Sequence, residues 1–267
     1  MGFKNKVLTV AGTLRSRGRM LCIDKPIVMG ILNATPDSFY SSTMQLENIL
    51  DQAEMMLRDG ATILDVGGAS SKPGAEEVSF EEELLRVIPV IEKIKEKFPE
   101  AWISVDTCHA DVAENAVQAG ADIVNDITAG RDQKMLETVA QLGVPYIAMH
   151  MQGSPDTMQI APHYEHVTVE VLEFLKDVVN QCEAAGIRDL ILDPGFGFGK
   201  TVAHNYEMLD QFSCFRILGK PLLAGLSRKS MICKALRVNP KNALNGTTAL
   251  NMVALREGAT ILRVHDV

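Results

Sequence analysis

Nowhere in the 267 residues is there a run approaching the ~20 consecutive apolar residues of a membrane span. The opening MGFKNKVLTVAG holds no apolar core long enough for a signal peptide. Its Met-Gly start has Lys6 where the N-myristoylation pattern needs Ser or Thr. Cys22, Cys108, Cys182, Cys214 and Cys233 are odd in number and form no C-x-x-C pair, which argues against a disulfide framework and for free thiols in a reducing compartment. Positive charge is in deficit, since 26 Lys and Arg against 34 Asp and Glu leave a net charge of −8. That excludes nucleic acid or an anionic membrane as the main partner. A cytoplasmic protein acting on small molecules is expected, with any anionic substrate met by a local basic cluster.

Two nucleotide-binding signatures are also missing. DPGFGFGKT (193–201) has the glycines and Lys-Thr pair of a phosphate-cradling loop, but only Phe196, Gly197 and Phe198 separate Gly195 from Gly199. The P-loop needs four residues there, and two aromatics would crowd backbone N–H groups meant to wrap an anion. No G-x-G-x-x-G follows any expected strand, which disfavours an open doubly wound sheet.

What is present is a repeat. A polar-apolar helical stretch ends in Gly, and an apolar run then ends in a polar residue: DGATILDVGG (59–68), AGADIVND (119–126), LGVPYIAMH (142–150), AGIRDLILDPG (185–195) and EGATILRVHD (257–266). Gly suits a helix C-terminus that needs a left-handed residue. The Ile/Val/Leu runs suit strands buried on both faces. PIVMGIL (26–32), WISVD (102–106) and PLLAGL (221–226) complete eight strands, with amphipathic helices expected at 46–58, 81–97, 109–119, 165–185 and 242–256. This pattern predicts an α/β protein, one (β/α)8 TIM-barrel domain over 1–267. Residues 1–25 form an N-terminal β-hairpin extension, with KVLTVAG and RMLCIDK as strands, TLRSRGR between them, and the whole plugging the barrel's bottom. The sequence ends at Val267, just after strand eight, so the eighth helix of such a barrel is expected to be missing. The outer faces of strands eight and one, Ile261 among them, are expected to be bare unless further residues or a neighbouring subunit cover them.

Chemistry in such a barrel gathers at the carboxyl ends of the strands. Those positions are Asn33, Asp65, Asp106, Asn125, Met149 with His150, Asp193, Ser227 to Lys229, and Arg263 with His265. Any one of them could merely cap a helix or begin a loop: Asp106 could cap the next helix, Asp193 before Pro194 could be a turn residue, and Lys229 a surface lysine. Together they suit a heterocycle rich in N–H donors and ring acceptors, beside an anion.

Eight ordered motifs carry a specific resemblance. MGILNATPDSF (29–39), DVGGASSKPGA (65–75), SVDT (104–107), VNDI (124–127), MHMQGSPDTMQ (149–159), LDPGFGFGKT, GLSRKSM (225–231) and RVHDV (263–267) are similar to those of the dihydropteroate synthase family. The resemblance implies condensation of 6-hydroxymethyl-7,8-dihydropterin pyrophosphate with 4-aminobenzoate, with release of pyrophosphate, in an enzyme that sulfonamides inhibit and that forms homodimers. It implies that Asp106, Lys229 and Arg263 are catalytic. Substrate binding would involve Ser71, Lys72, Pro73, Asp106, Asn125, Met149, Asp193, Phe198, Lys229, Ser230, Arg263 and His265. Asn33 would hold Mg2+, and Phe198 would face the second substrate's ring while Lys200 and Thr201 lie on the surface. His150 reads as a structural histidine without a catalytic role.

Two loops depart from the family pattern. DSFYSST (37–43) replaces the usual DSFSDGG, and Ser71-Lys72-Pro73-Gly74 replaces Thr-Arg-Pro-Gly; lysine keeps the charge but not the bidentate fork. A pterin-binding methyltransferase and a non-catalytic pterin-binding homologue remain as rival readings, separated from a synthase by assaying pyrophosphate release that depends on 4-aminobenzoate.

Overall fold

Ordered side chains first meet at the base of the molecule. The computed structural model describes residues 12–34, 43–69, 78–154 and 157–267. It begins with an antiparallel hairpin of β1 (Gly12–Ser16) and β2 (Arg19–Ile23). The turn is Arg17-Gly18, with φ of 51° and 80°, the left-handed pair that matches strand twist in a two-residue connection. The hairpin is therefore displaced from its expected place. TLRSRGR, read as the connection, supplies β1 from Thr13 onward, while KVLTVAG lies outside the described residues apart from Gly12. The tight Arg-Gly turn and the inward-facing Leu14 set this register.

Eight parallel strands follow: β3 (Ile27–Asn33), β4 (Ile63–Gly67), β5 (Trp102–Asp106), β6 (Ile123–Asp126), β7 (Tyr146–Met149), β8 (Leu190–Asp193), β9 (Leu223–Ala224) and β10 (Ile261–Val264). From β4 to β8 each pairs with its predecessor, β10 pairs with both β9 and β3, and a bridge between Leu192 and Leu222 joins β8 to the β9 segment. The result is the expected barrel. Helices α1 (Thr43–Asp59), α2 (Phe80–Lys97), α3 (Ala110–Ala119), α4 (Met135–Leu142), α5 (Val167–Ala185) and α6 (Val202–Asp210) each follow one strand; α7 (Ser230–Leu236) and α8 (Leu244–Glu257) both follow β9. Gly143 and Gly186 end α4 and α5 in the left-handed conformation that the repeat pattern implied.

The interior splits along the strand pleat. Ile27, Met29, Ile63, Trp102, Ile123, Ile147, Ile191, Leu223 and Ile261 point into the barrel, and Leu14 and Ile23 of the hairpin join them from below. Burying each of these two side chains is worth about 1.5–3 kcal/mol. The hairpin is also tied down by polar contacts. Arg19 Nη1 donates to Asp122 at 2.9 Å, Arg17 Nη1 to the Val117 carbonyl at 3.1 Å, and Asp189 accepts from the Arg15 backbone at 2.9 Å. Among the described residues the hairpin thus closes the bottom of the barrel.

The expectation of bare strands at the seam is corrected. Ile261 faces the interior and is fully buried, while the outward Leu262 and Val264 are 9% and 4% exposed. On β3, Met56 of α1 and Val267 stand over Gly30, where an added Cβ would lie 2.8 Å from the Met56 sulfur. The outer face here is covered by packing from α1 and the segment after β10.

Candidate active site

Strand register sets the level from which each polar side chain starts. Asn33 pairs with Gly67, Gly67 with Asp106, and Asp106 with Asn125, so these residues share one rung at the open rim. Asp65 lies two residues below Gly67 on β4. Arg263 is lower still, opposite Met29, and extends upward over β3. Its Nε donates to Asp65 Oδ2 at 2.6 Å and its Nη2 to Asp106 Oδ2 at 2.5 Å. Asn125 Nδ2 makes longer contacts, 3.3 and 3.4 Å, to the same Asp65 carboxylate. Asp65 is fully buried, and it is the hub that sequence reading placed at the rim but left out of the site.

Burial and charge oppose each other across this mouth. Burial disfavours the Arg263 cation, but Asp65 and Asp106 outweigh it and hold the guanidinium firmly charged. Burial pushes Asp106 upward, with Arg263 pulling against it and Asp65 and Asp126 adding to the rise. Asp193 is likewise raised by burial, against the Gly195 N–H, Lys229 and Arg263. Lys229 is lowered to about 8 by burial and by Arg263, partly offset by Asp193 and Asp106.

Asn125, Ile127, Met149, Asp193, Phe196, Phe198, Gly225, Lys229 and Arg263 line a cleft of about 300 Å³, including space open to solvent. Six of the expected site residues are thereby brought together: Asn125, Met149, Asp193, Phe198, Lys229 and Arg263. Asp106 joins through its pairing with Arg263. Asp193 keeps one oxygen on the Gly195 N–H at 2.8 Å. Lys229 Nζ stands 4.1 Å from the centre of the Phe198 ring, a cation–π distance. Asp106 does not cap α3, whose first backbone N–H donates instead to Asp132.

Other expected residues lie apart from this lining. Asn33 is exposed at the end of β3, and Ser230 is exposed at the first residue of α7. His265 follows β10 and is bonded to Ser227. Ser71, Lys72 and Pro73 lie outside the described residues, as does the first loop over 37–42.

The DPGFGFGKT loop holds a correction. Lys200 is not on the surface: it is 3% exposed. Its ammonium donates to His150 Nδ1 at 2.9 Å and to the carbonyls of Gly195 and Phe198 at 2.9 and 3.0 Å. Three acceptors surround this nitrogen, and the loop that carries Phe198 folds around it; burial lowers Lys200 to about 7, with Asp193 opposing and Lys229 adding to the fall. Burial and the neighbouring Lys200 lower His150 to about 2, so the ring is neutral and accepts at Nδ1; it is structural, as expected. Gly195 is required for this packing, since a Cβ there would fall 2.0 Å from the His150 carbonyl oxygen. Thr201 is exposed and caps α6 through the His204 N–H. A residue that sequence reading passed over is Asp126. It is buried and accepts from the backbone of Thr128 and Gly130, the Thr128 hydroxyl and the Tyr146 hydroxyl, at 2.6–2.7 Å. Its signal was an Asp two residues before a Thr at a strand end.

A parallel barrel with a carboxylate-rich, lysine- and arginine-bearing mouth has the polar lining that a flat heterocycle needs. A family model described as pterin binding enzyme matches residues 29–265. The chain is 48% identical over 258 residues to a dihydropteroate synthase of Escherichia coli K12, covering 95% of this chain and 91% of that protein. A dihydropteroate synthase of Haemophilus influenzae matches at 48% over 258 residues, with 95% and 94% covered. Among solved structures, Yersinia pestis dihydropteroate synthase with a sulfonamide drug complex superposes with a TM-score of 0.90 at 45% identity, covering 96% of this chain and 94% of that one. Xanthomonas albilineans dihydropteroate synthase with 4-aminobenzoic acid gives 0.89 at 43%, with 96% and 93% covered. The chain belongs to the pterin-binding enzymes, and within them to the dihydropteroate synthases.

Asp65→Ala is expected to destabilise the protein by about 3–5 kcal/mol, because Arg263 would keep its charge in the mouth with one of its two carboxylates gone. Arg263→Met in the same background should recover part of that loss. Urea denaturation measures both, and a loss for Asp65→Ala under about 1 kcal/mol would mean that solvent, and not Asp65, holds the guanidinium.

Proposed function

We propose that this chain joins 6-hydroxymethyl-7,8-dihydropterin pyrophosphate to 4-aminobenzoate, giving 7,8-dihydropteroate and pyrophosphate. The observation that carries this reading is the convergence of Asp193, Asn125, Lys229 and the Asp65–Arg263–Asp106 group on one cleft. A pterin presents N3–H and its 2-amino group side by side, and the Asp193 carboxylate accepts both. Asn125 offers a donor and an acceptor to the mixed edge beside them. Lys229 donates to O4 and N5, while Arg263 lies along the ring and meets the diphosphate with His265. The planar guanidinium is suited to that placement.

The methylene C–O bond breaks with its electron pair leaving on the diphosphate. The pterin methylene cation is stabilised by its own ring nitrogens and by the Asp106 carboxylate, which Arg263 holds in place. The neutral amine of 4-aminobenzoate attacks along the Phe198 wall, a C–N bond forms, and the ammonium proton is lost to solvent. No side-chain nucleophile is needed, and none of the five free cysteines takes part.

Magnesium fits this site only as an ion shared with substrate. Among the described residues no group of three or more His, Cys, Asp or Glu side chains could hold a metal. Asn33, exposed at the end of β3, would hold Mg2+ through its amide oxygen, with diphosphate oxygens and water filling the other positions. When bound, the ion neutralises charge on the leaving group.

We also propose a homodimer formed through the last helices, where Leu236, Leu244 and Met252 are 50–60% exposed. Dispersed free thiols fit a cytoplasmic location. Among the described residues no helix is long and apolar enough to cross a membrane.

Purified protein with Mg2+ and both substrates should release pyrophosphate in proportion to 4-aminobenzoate, with sulfonamides competing against the latter. Asp193→Ala should weaken pterin binding at least a hundredfold, from two charge-assisted hydrogen bonds at about 1.5–3 kcal/mol each. Product absent from folded protein, or unchanged pterin affinity in calorimetry, would sink the reading. In its pH profile, kcat/KM should fall as pH rises through about 8, where Lys229 sheds its proton, and Lys229→Arg should move that limb upward. A limb that stays put in the arginine enzyme would assign it to another group. Sedimentation equilibrium should show a dimer that Met252→Glu dissociates, and a monomeric wild type would remove the dimer proposal.

A further inference from the structure

Ser227 follows β9 and His265 follows β10, side by side at the rim. Two groups of His265 reach one oxygen: its backbone N–H lies 3.2 Å from Ser227 Oγ, and its ring Nδ1 lies 3.1 Å from the same atom. Ser227 is 4% exposed. A second rung fixes this pairing, as Arg228 Nε donates to Asp266 Oδ2 at 2.9 Å and Nη2 reaches the other carboxylate oxygen.

A hydroxyl has one proton and two lone pairs. The backbone N–H can only donate, so it occupies one lone pair. A hydrogen on Nδ1 would occupy the second, and the serine's own proton would then need another acceptor. Among the described residues Ser227 Oγ has no further hydrogen-bond partner. The arrangement that satisfies every group has the hydroxyl donating to a bare Nδ1. The imidazole is also held neutral. Burial, then Arg228 and Arg263, pull it down to about 4, with Asp266 opposing and Lys229 adding to the fall. A neutral ring that is bare at Nδ1 carries its hydrogen at Nε2.

We infer that Ser227 is a positioning residue that locks His265 as the Nε2–H tautomer, presenting a neutral hydrogen-bond donor of fixed direction to the diphosphate. The diphosphate half of this statement rests on the proposed role of His265, and the tautomer does not. The mouth then meets the leaving group with two kinds of donor. Arg263 supplies charge, and His265 supplies a directed hydrogen bond that adds no charge to hinder pyrophosphate release.

The test is long-range proton–nitrogen NMR of 15N-histidine protein between about pH 6.5 and 8, with the His265 signals assigned by their loss in His265→Ala. Wild type should show one Nε2–H ring, unchanged across the range, while Ser227→Ala should show mixed tautomers. Calorimetry with Mg2+ and inorganic pyrophosphate should show affinity weakened roughly tenfold by Ser227→Ala, the scale of one neutral hydrogen bond. Ser227→Thr, which keeps the hydroxyl, should restore both readouts. A wild-type ring that is protonated or carries its hydrogen at Nδ1 would overturn the inference. So would a Ser227→Ala protein unchanged in tautomer and affinity. If His265→Ala binds pyrophosphate as wild type does while the tautomer is as inferred, the diphosphate role falls and the positioning by Ser227 stands.

Discussion

The guanidinium of Arg263, shared between Asp65 and Asp106, is the interaction on which the mouth of this barrel depends. Carboxylates on adjacent strands would repel one another in a poorly solvated space, and burial already drives Asp106 toward its neutral form. One planar cation with two N–H vectors answers both at 2.5–2.6 Å. It pulls Asp106 back toward its ionised form against that burial. The same guanidinium also lines the cleft, so the order of the mouth and the lining of the site share one side chain.

A buried lysine shapes the opposite wall. The three contacts of Lys200 gather the 195–199 loop against the segment after β7. The consequence is felt at Phe198, whose ring meets the Lys229 ammonium at 4.1 Å. A phosphate loop would aim its lysine outward at a ligand. Here the lysine is turned inward, and the loop becomes an aromatic wall. The altered spacing of the glycines has this physical meaning.

Much of this was legible in the residues. Strands buried on both faces read as apolar runs, helix ends read as glycines, and the polar residue closing each run marks the open rim. Asp106, Asn125, Asp193, Lys229 and Arg263 follow from that periodicity, and the motif order made the family evident. Asp65 was seen at the rim yet not assigned, because a strand-end aspartate looks alike whether it touches a ligand or braces an arginine. Lys200 was misplaced because lysine beside threonine in a glycine-rich loop ordinarily faces water; only the approach of His150 and two inward carbonyls makes burial favourable.

The sequence by itself determined the barrel, its open end and the chemical types gathered there, because strand period and helix capping are local and one-dimensional. Which residues touch was decided by the tertiary structure. Barrel shear places Arg263 below the carboxylates it reaches, the tight Arg17-Gly18 turn sets the hairpin register that sends Leu14 into the base, and the adjacency of β9 and β10 joins Ser227 to His265. Those contacts span up to 198 residues of chain. No local pattern encodes them, since they arise only when the sheet closes on itself.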